Sequence, residues 1–146
     1  CIQCGVCTTE CPVSAVTRGA YNPRRNILAT LLGYEDFLLK GEELTIWGCT
    51  MCNTCDEVCP QNIELTELFT ALKNQSVART RCPDYILTQV KTIFENAKAI
   101  PSQPALKRRR EELGLPEILE PDLSEVQTLL NNLGVINKLR NNKQSV

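Results

Sequence analysis

Cys1-Ile2-Gln3-Cys4-Gly5-Val6-Cys7-Thr8-Thr9-Glu10-Cys11-Pro12 opens the chain, and Cys49-Thr50-Met51-Cys52-Asn53-Thr54-Cys55-Asp56-Glu57-Val58-Cys59-Pro60 repeats its pattern. In both runs the cysteines follow one another at steps of three, three and four, with proline after the last. Steps of three let a tightly curled loop aim three thiolates into one small volume. The fourth lies one residue further on, and proline then turns the chain away without requiring a partner for an amide. Eight of the nine cysteines fall in these two runs.

The spacing C-x-x-C-x-x-C-x-x-x-C-P is that of a cubane [4Fe–4S] cluster, and where two such runs occur the fourth cysteine serves the other cluster. The expectation is therefore two [4Fe–4S] clusters with crossed ligands: Cys1, Cys4, Cys7 and Cys59 for one, and Cys49, Cys52, Cys55 and Cys11 for the other. Structural zinc takes four ligands and would leave surplus thiols in each run. Disulfides fit neither the odd count nor these intervals. Cys82 stands apart in Arg81-Cys82-Pro83; no other thiol lies near it in the sequence, and it reads as a packing residue at a helix start.

The composition narrows the chemistry. The 146 residues include 16 basic and 17 acidic side chains, a formal charge of −1, which argues against a nucleic-acid partner. Two oxidised cubanes with eight thiolates carry that sum to about −5. There is no histidine, which removes Rieske ligation, histidine-bound metals and every histidine-based triad. No apolar run approaches the length of a membrane span. The thiol usage points to a reducing compartment. The chain starts on a ligand cysteine rather than methionine, so a preceding stretch is expected, and targeting there cannot be judged.

Between the runs, 37 residues separate Cys11 from Cys49, and they read as helical. Asn22-Pro23 is a cap followed by proline at the first helical position. Ile27, Leu28, Leu31 and Leu32 form the expected apolar face, closed by Gly33. A short helix is expected over Glu35 to Lys40, stopped by Gly41. Small bacterial ferredoxins join their motifs through strands and turns, so this layout points to an all-α, α-helical ferredoxin with its clusters between helices. Leu44, Ile46 and Trp47 are expected to screen the clusters. Further on, Leu65, Leu68, Phe69 and Leu72 form one helical stripe and Ile86, Val90, Ile93 and Ala97 another, both expected to pack over the clusters. Pro101 and Pro104 break the pattern, which divides the chain into a two-cluster domain at 1–101 and a helical tail at 102–146. The charged run Lys107-Arg108-Arg109-Arg110-Glu111-Glu112 reads as a solvated helix face. Ser124-Glu125-Val126-Gln127 resembles a capping box opening a helix with Val126, Leu129, Leu130 and Leu133 on one side and Gly134 as its stop.

Several phrases carry a family resemblance. Cys1-Ile2-Gln3-Cys4-Gly5-Val6-Cys7, Leu31-Leu32-Gly33-Tyr34-Glu35-Asp36, Ile46-Trp47-Gly48-Cys49-Thr50-Met51-Cys52-Asn53-Thr54-Cys55 and the tail phrase Glu112-Leu113-Gly114-Leu115-Pro116 resemble the C subunit of the heterodisulfide reductases of methanogenic archaea and their relatives. The resemblance covers most of the chain, and Cys82 matches no family role. It implies an electron-transfer iron–sulfur subunit of an oxidoreductase, with no catalytic site of its own. The implied partners are a flavin-containing A subunit, the electron source, and a catalytic B subunit, which reduces the disulfide of coenzyme M and coenzyme B. The implied setting is a cytoplasmic, flavin-based electron-bifurcating complex of methanogenesis, fed by a hydrogenase or formate dehydrogenase; the capped apolar helix of the tail is expected, from its own residues, to dock a partner. The alternatives are a free two-cluster ferredoxin carrier and a relative from sulfur oxidation. The iron–sulfur subunit of a succinate dehydrogenase or fumarate reductase would require an upstream [2Fe–2S] domain, and those of glycerol-phosphate or glycolate oxidases carry adjacent cysteine pairs that this chain lacks.

Overall fold

A computed structural model describes residues 1–40, 44–79 and 82–137, and among them every regular element is an α-helix. The chain divides into two compact units, Cys1–Pro83 and Asp84–Val146. Helix α7 (Asp84–Asn96) belongs to the second, so the contacts divide the chain earlier than the expected boundary after residue 101.

The first unit is built on the repeated run. Helices α1 (Val6–Thr9) and α5 (Thr54–Glu57) are single turns at the same four positions of the two runs, and they pack against each other. Helix α2 (Pro12–Val16) follows the first run. Helix α3 (Pro23–Leu31) starts where the cap signal places it: the Asn22 side chain accepts the Arg25 N–H at 3.0 Å, and Pro23 fills the first position without wasting an amide. Helix α4 (Glu35–Lys40) has the expected bounds, while its expected stop at Gly41 lies outside the described residues. Helix α6 (Leu65–Arg79) buries Leu65, Phe69 and Leu72, with Leu68 half-buried beside them. Glu35 pairs with Arg79, tying α4 to α6, and the Arg25 guanidinium lies 5.5 Å from the centre of the Phe37 ring, tying α3 to α4.

The face of α3 differs from its expected one. Ile27 is buried, but Leu28, Leu31 and Leu32 are exposed and Asn26 is fully buried in their place. The Asn26 amide donates to the Thr45 carbonyl, which offsets the cost of taking it out of water. Ile46 joins the core formed by Ile27, Leu38, Leu65 and Phe69.

The second unit packs α7 against α9 (Leu123–Asn132). The stripe Ile86, Val90, Ile93 and Ala97 is half-buried, and Gln127 donates to the Phe94 carbonyl at 3.0 Å. Helix α8 (Pro104–Glu112) is polar and carries no buried residue. Glu120 gathers Lys98 and Lys107, the latter at 3.5 Å. Helix α9 is capped by Asp122 rather than Ser124: the Asp122 carboxylate accepts the Ser124 and Glu125 amides at 2.7 and 3.4 Å and the Ser124 hydroxyl at 2.7 Å. Both residues are good caps, but the anion also complements the positive end of the helix.

Candidate metal centres

Each run curls by the same device. The residues flanking the second cysteine have left-handed backbone in both copies: Gln3 and Gly5 at φ 57° and 91°, Met51 and Asn53 at φ 59° and 62°. Two left-handed residues around one cysteine reverse the chain within a few bonds. This brings the first, second and third thiols of a run to one side, and Gly5 and Asn53 then lead into the one-turn helices.

The cysteines gather around two recesses. Cys1, Cys4, Cys7 and Cys59 line the first, and Cys49, Cys52, Cys55 and Cys11 line the second. In each, three thiols come from one run and the fourth from the other, because α1 and α5 pack together and each run ends beside its partner's loop. Cys82 lines neither recess and is buried. No three His, Cys, Asp or Glu side chains among the described residues converge closely enough to share a single metal ion; the thiols border a space instead. All-sulfur donors around such a space fit a cubane, whose irons are spread over its corners.

The remaining walls of the second recess are apolar or hydroxyl-bearing, while Gln3, Arg24 and Gln61 add amide and cationic groups to the first. Ile27, Ile63 and Leu65 close the first recess, and Tyr21, Pro23 and Thr66 the second. None of Leu44, Ile46 and Trp47 lines a recess directly, but Ile46 belongs to the buried core against which Cys7, Trp47, Cys49 and Cys55 pack. Tyr21 is the site residue that the sequence reading missed. Its ring is buried, 6.5 Å from that of Phe69, and burial followed by the neighbouring Cys49 raises its hydroxyl pKa far above the usual value.

Hydrogen bonds reach the sulfurs directly. The Ser14 amide donates to Cys11 Sγ and the Ile63 amide to Cys59 Sγ, both at 3.4 Å, so the two fourth cysteines are held alike. Burial is the main cause that raises the Cys7 thiol and pushes Cys55 up to about 12, where Asp56 adds to it. The Thr54 hydroxyl lowers Cys52. A bound metal takes thiolates, so loading these sites releases protons. Lys73 donates to the Cys49 carbonyl at 2.6 Å with its ammonium 5.6 Å from the centre of the Trp47 ring, and burial lowers its pKa.

Comparison with known proteins agrees with the geometry. Residues 1–63 match the 4Fe-4S dicluster domain family. The chain is 34% identical to the iron-sulfur C 2 subunit of CoB–CoM heterodisulfide reductase from Methanocaldococcus jannaschii, over 91% of this chain and 72% of the relative. It is 32% identical to the C subunit of the ferredoxin/F(420)H(2)-dependent CoB-CoM heterodisulfide reductase of Methanosarcina acetivorans, over 89% and 81%. It is 31% identical to the C2 subunit of the H(2)/formate:CoB-CoM heterodisulfide,ferredoxin reductase of Methanococcus maripaludis, over 91% and 73%. No helix among the described residues is long and apolar enough to cross a membrane. With two [4Fe–4S] clusters as its cofactors and electron transfer as its task, the chain belongs to the family of iron–sulfur C subunits of heterodisulfide reductases.

Proposed function

We propose that the chain is the electron relay of a cytoplasmic heterodisulfide reductase complex. It would receive electrons from a flavin-containing A subunit and deliver them to a catalytic B subunit that reduces the CoM–CoB disulfide. A hydrogenase or formate dehydrogenase would stand upstream. The crossed cysteine sets belong to this proposal: Cys1, Cys4, Cys7 and Cys59 hold one cluster, and Cys49, Cys52, Cys55 and Cys11 the other. Each cluster supplies a site for one electron, and the chain's own residues hold it, screen it and tune it.

The observation that carries the reading is the packing of α1 on α5, which makes the two recesses neighbours within one small unit. A pair of adjacent one-electron sites is a conduit between a donor and an acceptor. Two apolar faces exposed among the described residues support a place inside a complex rather than a freely diffusing carrier, whose contacts must part quickly. One is Leu28, Leu31 and Leu32 on α3, at i, i+3, i+4 spacing, with Tyr34 just beyond. The other is Leu129 and Leu133 at the end of α9, exposed by 60% and 65%; the second unit is thereby proposed as the part that docks a partner.

Anaerobic affinity purification of the full chain from its host, followed by identification of the bound chains, tests this. The A and B subunits are expected in stoichiometric amounts, and Leu129→Ser with Leu133→Ser should weaken their retention. A chain that purifies alone, with both clusters in place, contradicts the relay and leaves the free carrier standing.

A further inference from the structure

The two runs differ in charge at the residue after the third cysteine, which is Thr8 in the first and Asp56 in the second. Both residues perform the same structural task. The Thr8 hydroxyl accepts the Arg24 N–H at 3.1 Å and donates to Asn22 Oδ1 at 3.0 Å, bonding the first turn of α3. The Asp56 carboxylate accepts the Thr66 N–H at 3.1 Å and the Thr66 hydroxyl as well, bonding the first turn of α6. A neutral hydroxyl is therefore sufficient for this task at one of the two equivalent places. The second run uses an anion instead, half-buried, with Oδ1 3.5 Å from Cys55 Sγ.

A fixed negative charge at that distance has a definite consequence. Adding an electron to a cluster adds negative charge, and a nearby carboxylate opposes it more strongly where water is excluded. The Thr66 amide and the Thr66 hydroxyl hold the carboxylate in place at the first turn of the 15-residue helix α6. Other charges flank the two runs: Glu10 stands in the first and Glu57 beside Asp56 in the second. Arg24 lines the first recess and adds to the contrast. Lys73 works against it in the second, with its ammonium on the Cys49 carbonyl, over the Trp47 ring and in electrostatic reach of the Cys49 thiol.

We propose that Asp56 is a positioning residue that holds down the reduction potential of the second recess, so that an electron shared between the recesses resides preferentially in the one framed by Cys1, Cys4, Cys7 and Cys59. The duplicated motif thus carries a built-in polarity. The inference rests on the cysteine sets proposed above.

The test is a redox titration of the holo-protein followed by electron paramagnetic resonance, with iron and labile sulfide measured on the same samples. Asp56→Asn keeps the acceptor for Thr66 and removes the charge; it should raise one midpoint potential and leave the other. Thr8→Asp adds the charge to the first run; it should lower the other midpoint. Both variants should keep wild-type iron content. Unmoved midpoints in either fully loaded variant overturn the proposal, and if Asp56→Asn loses iron, Thr8→Asp decides alone. Cys59→Ala should remove the centre that responds to Thr8→Asp, and Cys11→Ala the one that responds to Asp56→Asn. If those removals are interchanged, the ligand sets are wrong while the charge effect stands.

Discussion

Gly48 lies so close to Tyr21 that a methyl group on its Cα would stand 2.6 Å from ring carbon Cδ2 and 2.8 Å from the Leu44 carbonyl. Real side chains do not approach that closely, so the position is closed to anything larger than glycine. The contact explains why glycine precedes Cys49: it lets the buried ring form a wall of the second recess.

Gly48→Ala should therefore displace the Tyr21 ring or the segment that carries Cys49. Overpacking of this kind costs about 1–3 kcal/mol, and here the cost falls on one recess. The holo-protein should show perturbed spectra or faster oxidative loss at the second cluster, with the first retained. Equal loss of both, or none, counts against the placement of Tyr21.

The crossed ligands make a sharper claim. Cys59→Ala should destroy the cluster held by Cys1, Cys4 and Cys7, and Cys11→Ala the one held by Cys49, Cys52 and Cys55. Spectroscopy that resolves the two centres reads this directly. Loss in each variant of the cluster nearest in sequence means that the fourth cysteines do not cross.

Much of this site was legible in the sequence, because the cysteine spacing encodes a loop and the duplication encodes its partner. The cap at Asn22-Pro23 and the bounds Glu35–Lys40 were legible for the same reason: they depend on neighbours a few residues away. What periodicity could not reveal was set by contacts far along the chain. Asn26 takes a buried place that Leu28 or Leu31 would be expected to fill, because its amide nitrogen donates to a carbonyl 19 residues away. Tyr21 gives no local sign that it faces Cys49. Helix α7 has an apolar stripe that reads correctly as amphipathic, yet a stripe does not name its partner, and that partner is α9. Asp122 takes the cap assigned to Ser124 because two capable residues stood two positions apart.

Cys82 is buried beyond the end of the cluster motifs and lines neither recess. Cys82→Ser should keep both clusters at a stability cost of about 1 kcal/mol, seen as a lower midpoint in anaerobic denaturant unfolding. Loss of iron in this variant would make Cys82 a ligand and one of the eight assignments wrong.

In the second unit, Glu120 and Asp122 both titrate below the ordinary carboxylate range, Glu120 chiefly through Lys98 and Asp122 through Ser124. A carboxylate with a depressed folded pKa stabilises above its unfolded value and loses that contribution as pH falls through the folded one. The relevant window thus lies below about pH 4.5 for Glu120 and 3.8 for Asp122. Because both groups are exposed, solvent screens the effect and it should be small. Carboxyl chemical shifts followed by NMR from pH 7 downward should show Lys98→Met raising the Glu120 midpoint and leaving Asp122 in place. A Glu120 midpoint that does not move means the Lys98 pairing is not held in solution.

The central claim, that eight cysteines in two repeated runs hold two cubanes, is tested most directly by metal analysis of the anaerobically purified chain. The account predicts about eight iron and about eight acid-labile sulfides per chain, as two [4Fe–4S] clusters require. Zinc without labile sulfide, or iron and sulfide sufficient for only one cluster in fully loaded protein, would contradict it.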